Sequence, residues 1–211
     1  MKMDNFEIKK HWENVYQNKH FHEVSWFQSI PVTSLNFLKQ FNIPKSAKII
    51  DVGGGDSYFV DNLLDLGYQD ITVLDISELA LNKAKQRLGA RSTQVKWIVA
   101  DAATFSPTEK YDFWHDRAVF HFLTQDQQIE NYIECAQKGI SATGVLVIGT
   151  FSEQGPTKCS GLEIKQYSER SISESLAKFF DIIKCIVVDH KTPFDTLQNF
   201  IFCSFKKLQT A

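Results

Sequence analysis

The tightest constraint on this chain is the run Asp51-Val52-Gly53-Gly54-Gly55-Asp56-Ser57, set where a short apolar stretch (Ala47-Lys48-Ile49-Ile50) gives way to a helical pattern. Three consecutive glycines between a strand and a helix permit positive φ. They also bring bare backbone within van der Waals reach of a ligand, which a Cβ would prevent. Such a turn is a cradle for a nucleotide-type cofactor, and it requires a strand before it and a helix after it.

The flanking sequence supplies that frame. Residues 58–66 carry Phe59, Val60, Leu63 and Leu64 at helical spacing and stop at Gly67. Residues 71–75 read as a buried strand, and Ser77 then caps a helix bearing Leu81, Ala84 and Leu88 that ends at Gly89. Further strands are expected at 95–101, 111–116 and 144–151. A capping box at Thr124-Gln125-Asp126-Gln127 predicts a helix running to Lys138. A second box, Ser171-Ile172-Ser173-Glu174, predicts one holding Leu176, Phe179 and Phe180. Segments 182–188 and 199–205 are joined through Pro193 with no room for a helix, so they should pair antiparallel.

The fold class is therefore α/β, with a parallel sheet covered on both faces and a terminal antiparallel hairpin. Ahead of it, Ile8, Trp12, Val15 and Tyr16 form a helical stripe, and Pro31 opens a helix with Leu35, Leu38 and Phe41. Residues 1–45 read as a helical lid or side wall on a core spanning 46–211, within one domain.

A chain of 211 residues that is 43% hydrophobic and 23% charged is long enough for one substantial core. Its net charge of -2 argues against strong nucleic-acid binding, which needs clustered Lys and Arg. Cys135, Cys159, Cys185 and Cys203 contain no Cys-x-x-Cys pair, so no metal site or redox dithiol is expected and the thiols read as buried and inert. The leading residues have no apolar targeting segment, and no stretch is long enough to span a bilayer. The expectation is a cytoplasmic protein without membrane partners; nothing in the sequence assigns an oligomeric state.

In an open α/β sheet, ligands bind beyond the carboxyl ends of the strands, and three acids arrive there: Asp51, Asp75 and Asp101. Asp75, twenty residues beyond Gly55, suits a ribose diol and disfavours a 2′-phosphate. A dinucleotide fingerprint starting at Gly53 needs a small residue at position 58, where Tyr58 stands. No Tyr has a Lys four residues later, so the pair typical of short-chain dehydrogenases is absent. Read as Gly-x-Gly-x-Ser, the run instead fits S-adenosylmethionine.

Asp51 to Ser57, Val73-Leu74-Asp75-Ile76-Ser77, Val99-Ala100-Asp101-Ala102 and the terminal strand pair resemble the motifs of class I S-adenosylmethionine-dependent methyltransferases across nearly the whole chain. The segments Glu23-Val24-Ser25-Trp26-Phe27, 114–123 and Lys158-Cys159-Ser160-Gly161-Leu162 further resemble a subgroup of small, mostly bacterial members. The resemblance implies a Rossmann-like three-layer sandwich with seven strands in the order 3-2-1-4-5-7-6, strand seven antiparallel. It implies S-adenosyl-L-methionine as cofactor and S-adenosyl-L-homocysteine as product. The methionine end would lie over Gly53, Gly54 and Gly55, the ribose on Asp75, and the adenine beside Asp101 and Ala102, with Asp51, Ser57, Ile76 and Trp26 also expected to bind the cofactor. Ser57 stands where the family has a third glycine, and its hydroxyl suits the start of the following helix.

Methyl transfer to a protonated nucleophile can use a base. Asp116 is the first candidate and His121 the second, from a set that also holds His115, Glu153, His190 and Asp195 on loops beyond the later strands. Trp26, with Phe27, is placed to fold over a sulfonium through a cation–π contact. The motifs of amino-group methylation on adenine or glutamine and of cytosine C5 methylation are missing. A small molecule methylated on O, N or S is the leading acceptor, with protein lysine as the alternative. A NAD-dependent oxidoreductase and an inactive cofactor-binding module rank below both.

Overall fold

In the computed structural model, which describes residues 5–209, the sheet is organised around β1 (Lys48–Val52). Ile49 and Ile50 are both fully buried, as expected of a parallel strand covered on both faces. Strands β2 (Asp70–Asp75) and β4 (Tyr111–Arg117) flank it in parallel, with β3 (Val95–Val99) outside β2 and β5 (Ile140–Phe151) outside β4. The final pair, β6 (Phe180–Lys191) and β7 (Leu197–Lys207), forms a hairpin in which β7 inserts antiparallel beside β5. The resulting order, β3-β2-β1-β4-β5-β7-β6, is the expected one.

Helices cover both sides. The faces carrying Ile49, Val73 and Phe113 pack against α2 (Val32–Gln40), α3 (Phe59–Asp65) and α4 (Glu78–Leu88) through Leu38, Leu63 and Leu81. Ile50, Leu74 and Trp114 face the other way, toward α5 (Asp126–Gly139) and α6 (Glu169–Leu176). The period-2 alternation of the strands thus divides the apolar residues between two cores.

The leading helix α1 (Asn5–Asn18) is fastened to the rim of the sheet by polar contacts. The Glu13 carboxylate accepts bonds from Ser77 Oγ at 3.0 Å, Glu78 N at 2.9 Å and Leu79 N at 3.3 Å. It therefore satisfies free amides at the positive end of α4. Ser77 caps the same helix by accepting from Ala80 N, as expected. Lys83 donates to the carbonyls of Tyr16 and Lys19 near the other end of α1.

Four sequence expectations need correction. Helix α5 begins after Gln125, with no side-chain cap from Thr124 or Gln125. Helix α6 begins one turn early: Ser168 and Ser171 cap each other reciprocally, so Ser171 lies at the third helical position. A serine hydroxyl does there what the usual Glu or Gln would do. That helix ends at Leu176, and Phe180 opens β6. Cys185 and Cys203 are not inert thiols but a disulfide, because the β6–β7 register sets them directly opposite with Cα atoms 4.2 Å apart. Cys135 and Cys159 are free and buried.

No described helix is long and apolar enough to cross a membrane, and no described cluster of His, Cys, Asp or Glu suits a metal ion. Replacing Glu13 with Ala should lower thermal stability by about 1 kcal/mol, the usual cost of losing a helix cap. Thermal melts of the variant and parent test this; equal melts would show that the Glu13 bonds add nothing to stability.

Candidate active site

The turn after β1 is held by its own backbone. Gly53 N and Gly54 N both donate to the Leu74 carbonyl, at 2.7 and 3.1 Å, which ties the turn to the end of β2. Gly53 has φ +68°, and a Cβ there would collide with the Val119 side chain. Gly55 has φ +50°, and its missing Cβ leaves room for the Tyr16 hydroxyl and the Asp75 carboxylate. Ser57 Oγ accepts from Phe59 N at 3.1 Å and so opens α3. Arg87 braces the loop from below through the Asp56 and Ser57 carbonyls and a close pair with Asp61.

Two of the three acids line a cavity beside this turn. Asp75 Oδ1 accepts from Ser77 N at 2.8 Å, and burial raises its carboxyl to about 7 against the lowering pull of bonds from Ser77 N and Gly55 N. Asp101 Oδ1 accepts from Ala103 N at 2.9 Å, which folds the backbone so that Ala102 also faces the cavity. Gly53, Ile76 and Trp26 share the lining. Asp51, Gly54 and Ser57 line an adjoining pocket, to which Gly53 and Trp26 also belong. Gly55 lies under Tyr16 and lines neither space. The far wall of the cavity is aromatic, with Trp12, Phe122, Phe151 and Phe200.

Bare backbone at the turn, a buried strand-end acid and an apolar slot beyond a second acid together match the parts of an adenosine attached to an amino acid. The residues present thus fit the expected cofactor. Gly53 and Gly54 would meet the amino-acid end, Asp75 the ribose hydroxyls, and Asp101 with Ala102 the adenine.

The catalytic candidates are arranged differently from the sequence expectation. Asp116 is fully buried behind the cavity wall: Oδ2 accepts from Tyr132 Oη at 2.6 Å and Oδ1 from Val119 N at 2.9 Å. Burial raises its carboxyl to about 6, and these bonds oppose the shift. It clamps the turn in which Ala118 takes φ +76°. His121 is also fully buried, stacked on Phe151, with neither ring nitrogen hydrogen-bonded. Burial, assisted by nearby Arg117, pushes it down to about 3, so it stays neutral at physiological pH. Neither side chain lines the cavity or the adjoining pocket.

The remaining candidates also have structural partners. His115 bridges Asp51 Oδ1 at 2.7 Å and Ser34 Oγ at 2.8 Å, joining β1, β4 and α2 in one buried chain. His190 contacts the Ser25 carbonyl and Gln28, which holds the Trp26 loop against β6. Glu153 and Asp195 are exposed, the latter paired with Lys191. Phe27 packs edge-on to Tyr58, outside the cavity lining.

Two residues that face both spaces were not singled out from sequence. Tyr16 belonged to a stripe that fits core packing equally well, and burial raises its hydroxyl well above the ordinary tyrosine range. Arg117 ends β4 beside Asp116, and strand alternation sends the two side chains to opposite faces.

The fold, with its glycine turn after β1, is that of class I S-adenosylmethionine-dependent methyltransferases. Residues 49–144 match the family described as a methyltransferase domain. The chain is 30% identical over 124 residues to the eEF1A lysine and N-terminal methyltransferase of Mus musculus, covering 58% of this chain and 18% of that protein. It is 31% identical over 107 residues to the malonyl-[acyl-carrier protein] O-methyltransferase of Anoxybacillus flavithermus, covering 50% of this chain and 39% of that one. The chain thus spans well under half of either relative. Among solved structures, it superimposes on the 1,6-didemethyltoxoflavin-N1-methyltransferase of Burkholderia thailandensis with a TM-score of 0.71 at 15% identity, covering 99% of this chain and 92% of the other.

Two substitutions separate binding from packing. Burial favours the protonated form of Asp75, so the stability it lends is full below the ordinary carboxylate pKa and is lost as pH rises through about 7. Asp75→Asn should therefore melt higher than the parent at pH 8 while binding S-adenosylhomocysteine at least about tenfold more weakly. Unchanged calorimetric affinity would remove Asp75 from the cofactor site. His121 has the opposite sign: its contribution is full above the ordinary histidine pKa and drains away as pH falls toward about 3. His121→Phe should flatten the acid-side loss of stability in urea titrations and leave turnover intact.

Proposed function

We propose that this enzyme transfers a methyl group from S-adenosylmethionine to an O, N or S nucleophile of a small molecule. The observation that carries this reading is one cavity lined both by Asp75, Asp101 and Gly53 and by the aromatic side chains of Phe122, Phe151 and Phe200. A roof formed by Ile8, Trp12 and Tyr16 of α1 and by the Trp26 loop suits a compact acceptor. The cofactor supplies an electrophilic methyl group on a sulfonium when bound.

The chain's own contribution is binding, orientation and exclusion of water. Hydrogen bonds between the glycine turn and Leu74 hold the backbone rigid where the amino-acid end would rest. The rings of Trp12 and Trp26, 6.0 Å apart and edge-on, close the cavity and offer a face to a cation. No described histidine lines the cavity, so the reading assigns the rate to alignment and prearranged electrostatics rather than to a histidine base.

A second reading, methylation of a protein amine, draws on the similarity to the mouse protein whose name specifies eEF1A lysine and N-terminal methylation. Calorimetric titration with S-adenosylmethionine, S-adenosylhomocysteine and NAD tests the cofactor, and we expect the first two to bind and NAD to give no heat. Methyl label from the cofactor should then appear in the small-molecule fraction of a lysate. Label confined to protein would favour the second reading, and NAD binding in place of S-adenosylhomocysteine would overturn both.

A further inference from the structure

We propose that Arg117 recognises an anionic group on the methyl acceptor, so that the substrate class is a compact apolar or aromatic molecule carrying a carboxylate or comparable oxyanion. This rests on the methyl-transfer reading above and specifies which acceptor that site takes.

Among the described residues, Arg117 is the only cationic one in the cavity lining. Its Nη1 donates to the Trp26 carbonyl at 2.9 Å, which fixes the plane of the guanidinium. Its Nη2 is shielded from solvent and has no hydrogen-bond partner. The groups of opposite sign nearest to it are Asp51 and Cys159. Asp51 spends one oxygen on His115, no carboxylate among the described residues comes within ion-pair distance of Arg117, and the Cys159 thiol is held neutral by burial, its pKa raised to about 11. Burial lowers the guanidinium only to about 10, which leaves it cationic at neutral pH. A shielded cation with an unused donor is costly unless a partner arrives, and the planar fork of Arg matches an oxyanion better than any neutral group.

Position separates this anion site from the adenosine end of the cofactor, while Arg117 also borders the pocket beside Gly53 and Gly54. The adenosine wall is built at the ends of β2 and β3 by Asp75, Ile76, Asp101 and Ala102. Arg117 reaches the other way, with Cζ 5.4 Å from the centre of the Phe200 ring on β7. Gln198, on the same strand, also lines the cavity and has a shielded Oε1 without a partner. The two unmet groups are a guanidinium nitrogen and a carbonyl, on residues that share the cavity lining with Phe122, Phe151 and Phe200. A planar apolar ligand with an anion at one edge and an N–H or O–H at another satisfies both.

The test uses the full chain loaded with S-adenosylhomocysteine and compares benzoate with its neutral analogue benzamide, read by thermal shift and calorimetry. Benzoate should bind and raise the melting temperature, and benzamide should be weaker by about tenfold or more. Arg117→Met should erase that preference while holding S-adenosylhomocysteine affinity within about twofold. Arg117→Lys, which keeps the charge without the fork, should retain a reduced preference. Equal response to the two probes, or none to benzoate, overturns the inference. Loss of S-adenosylhomocysteine binding in the folded Met variant also overturns it, by assigning Arg117 to the methionine carboxylate of the cofactor. Failure of the unmodified protein to bind S-adenosylhomocysteine at all would remove the methyl-transfer reading itself, and this inference with it.

Discussion

The paired bonds from Gly53 N and Gly54 N to the Leu74 carbonyl set the geometry on which the site depends. They draw the turn after β1 against the end of β2, so that the glycine backbone and the Asp75 carboxylate face one space. Absent side chains matter as much as the bonds. The volume a Cβ would take at Gly55 is filled by the Tyr16 hydroxyl, and at Gly53 by Val119, so the lid helix and the β4 loop both close onto bare backbone. A Cβ at Gly53 or Gly55 would force the Val119 or Tyr16 side chain to move and would sit on a backbone with positive φ.

Around this centre, polar chains take the place of a large apolar contact. Glu13 answers the free amides of α4, Lys83 holds the end of α1, and the Ser34–His115–Asp51 chain links α2 to the turn. Each uses a charge or ring whose bonding needs are met, which allows it to be shielded from water at modest cost. Arg117 and Gln198 depart from that pattern. Each keeps a shielded atom without a hydrogen-bond partner, and both residues belong to the cavity lining.

Much of the fold was legible because it follows from local pattern. Alternating apolar strands, the Ser77 cap and the φ demands of the glycine run are properties of a few adjacent residues, and strand order and the strand-end acids match the expectation. The cap of α6 was misplaced because Ser168 and Ser171 offer the same hydroxyl, and the extended backbone of Ser168, next to the bridge between Tyr167 and Ser152, selects between them. The Cys185–Cys203 bond was invisible because it depends on register between two strands rather than on spacing. Asp116 and His121 looked like acid–base groups since they carry that chemistry near a strand end, yet both side chains turn into the core.

Sequence by itself determined the α/β class, the cradle and the acids beside it, because glycine's missing Cβ and the period of a strand act within a single turn of chain. Tertiary structure decided which polar groups remain open to a ligand. The side chains of Asp116 and Arg117 are adjacent and both polar, but alternation along β4 buries one under Tyr132 and turns the other to the cavity. Which face is core and which is cavity depends on what the remaining helices cover, and no local pattern carries that information.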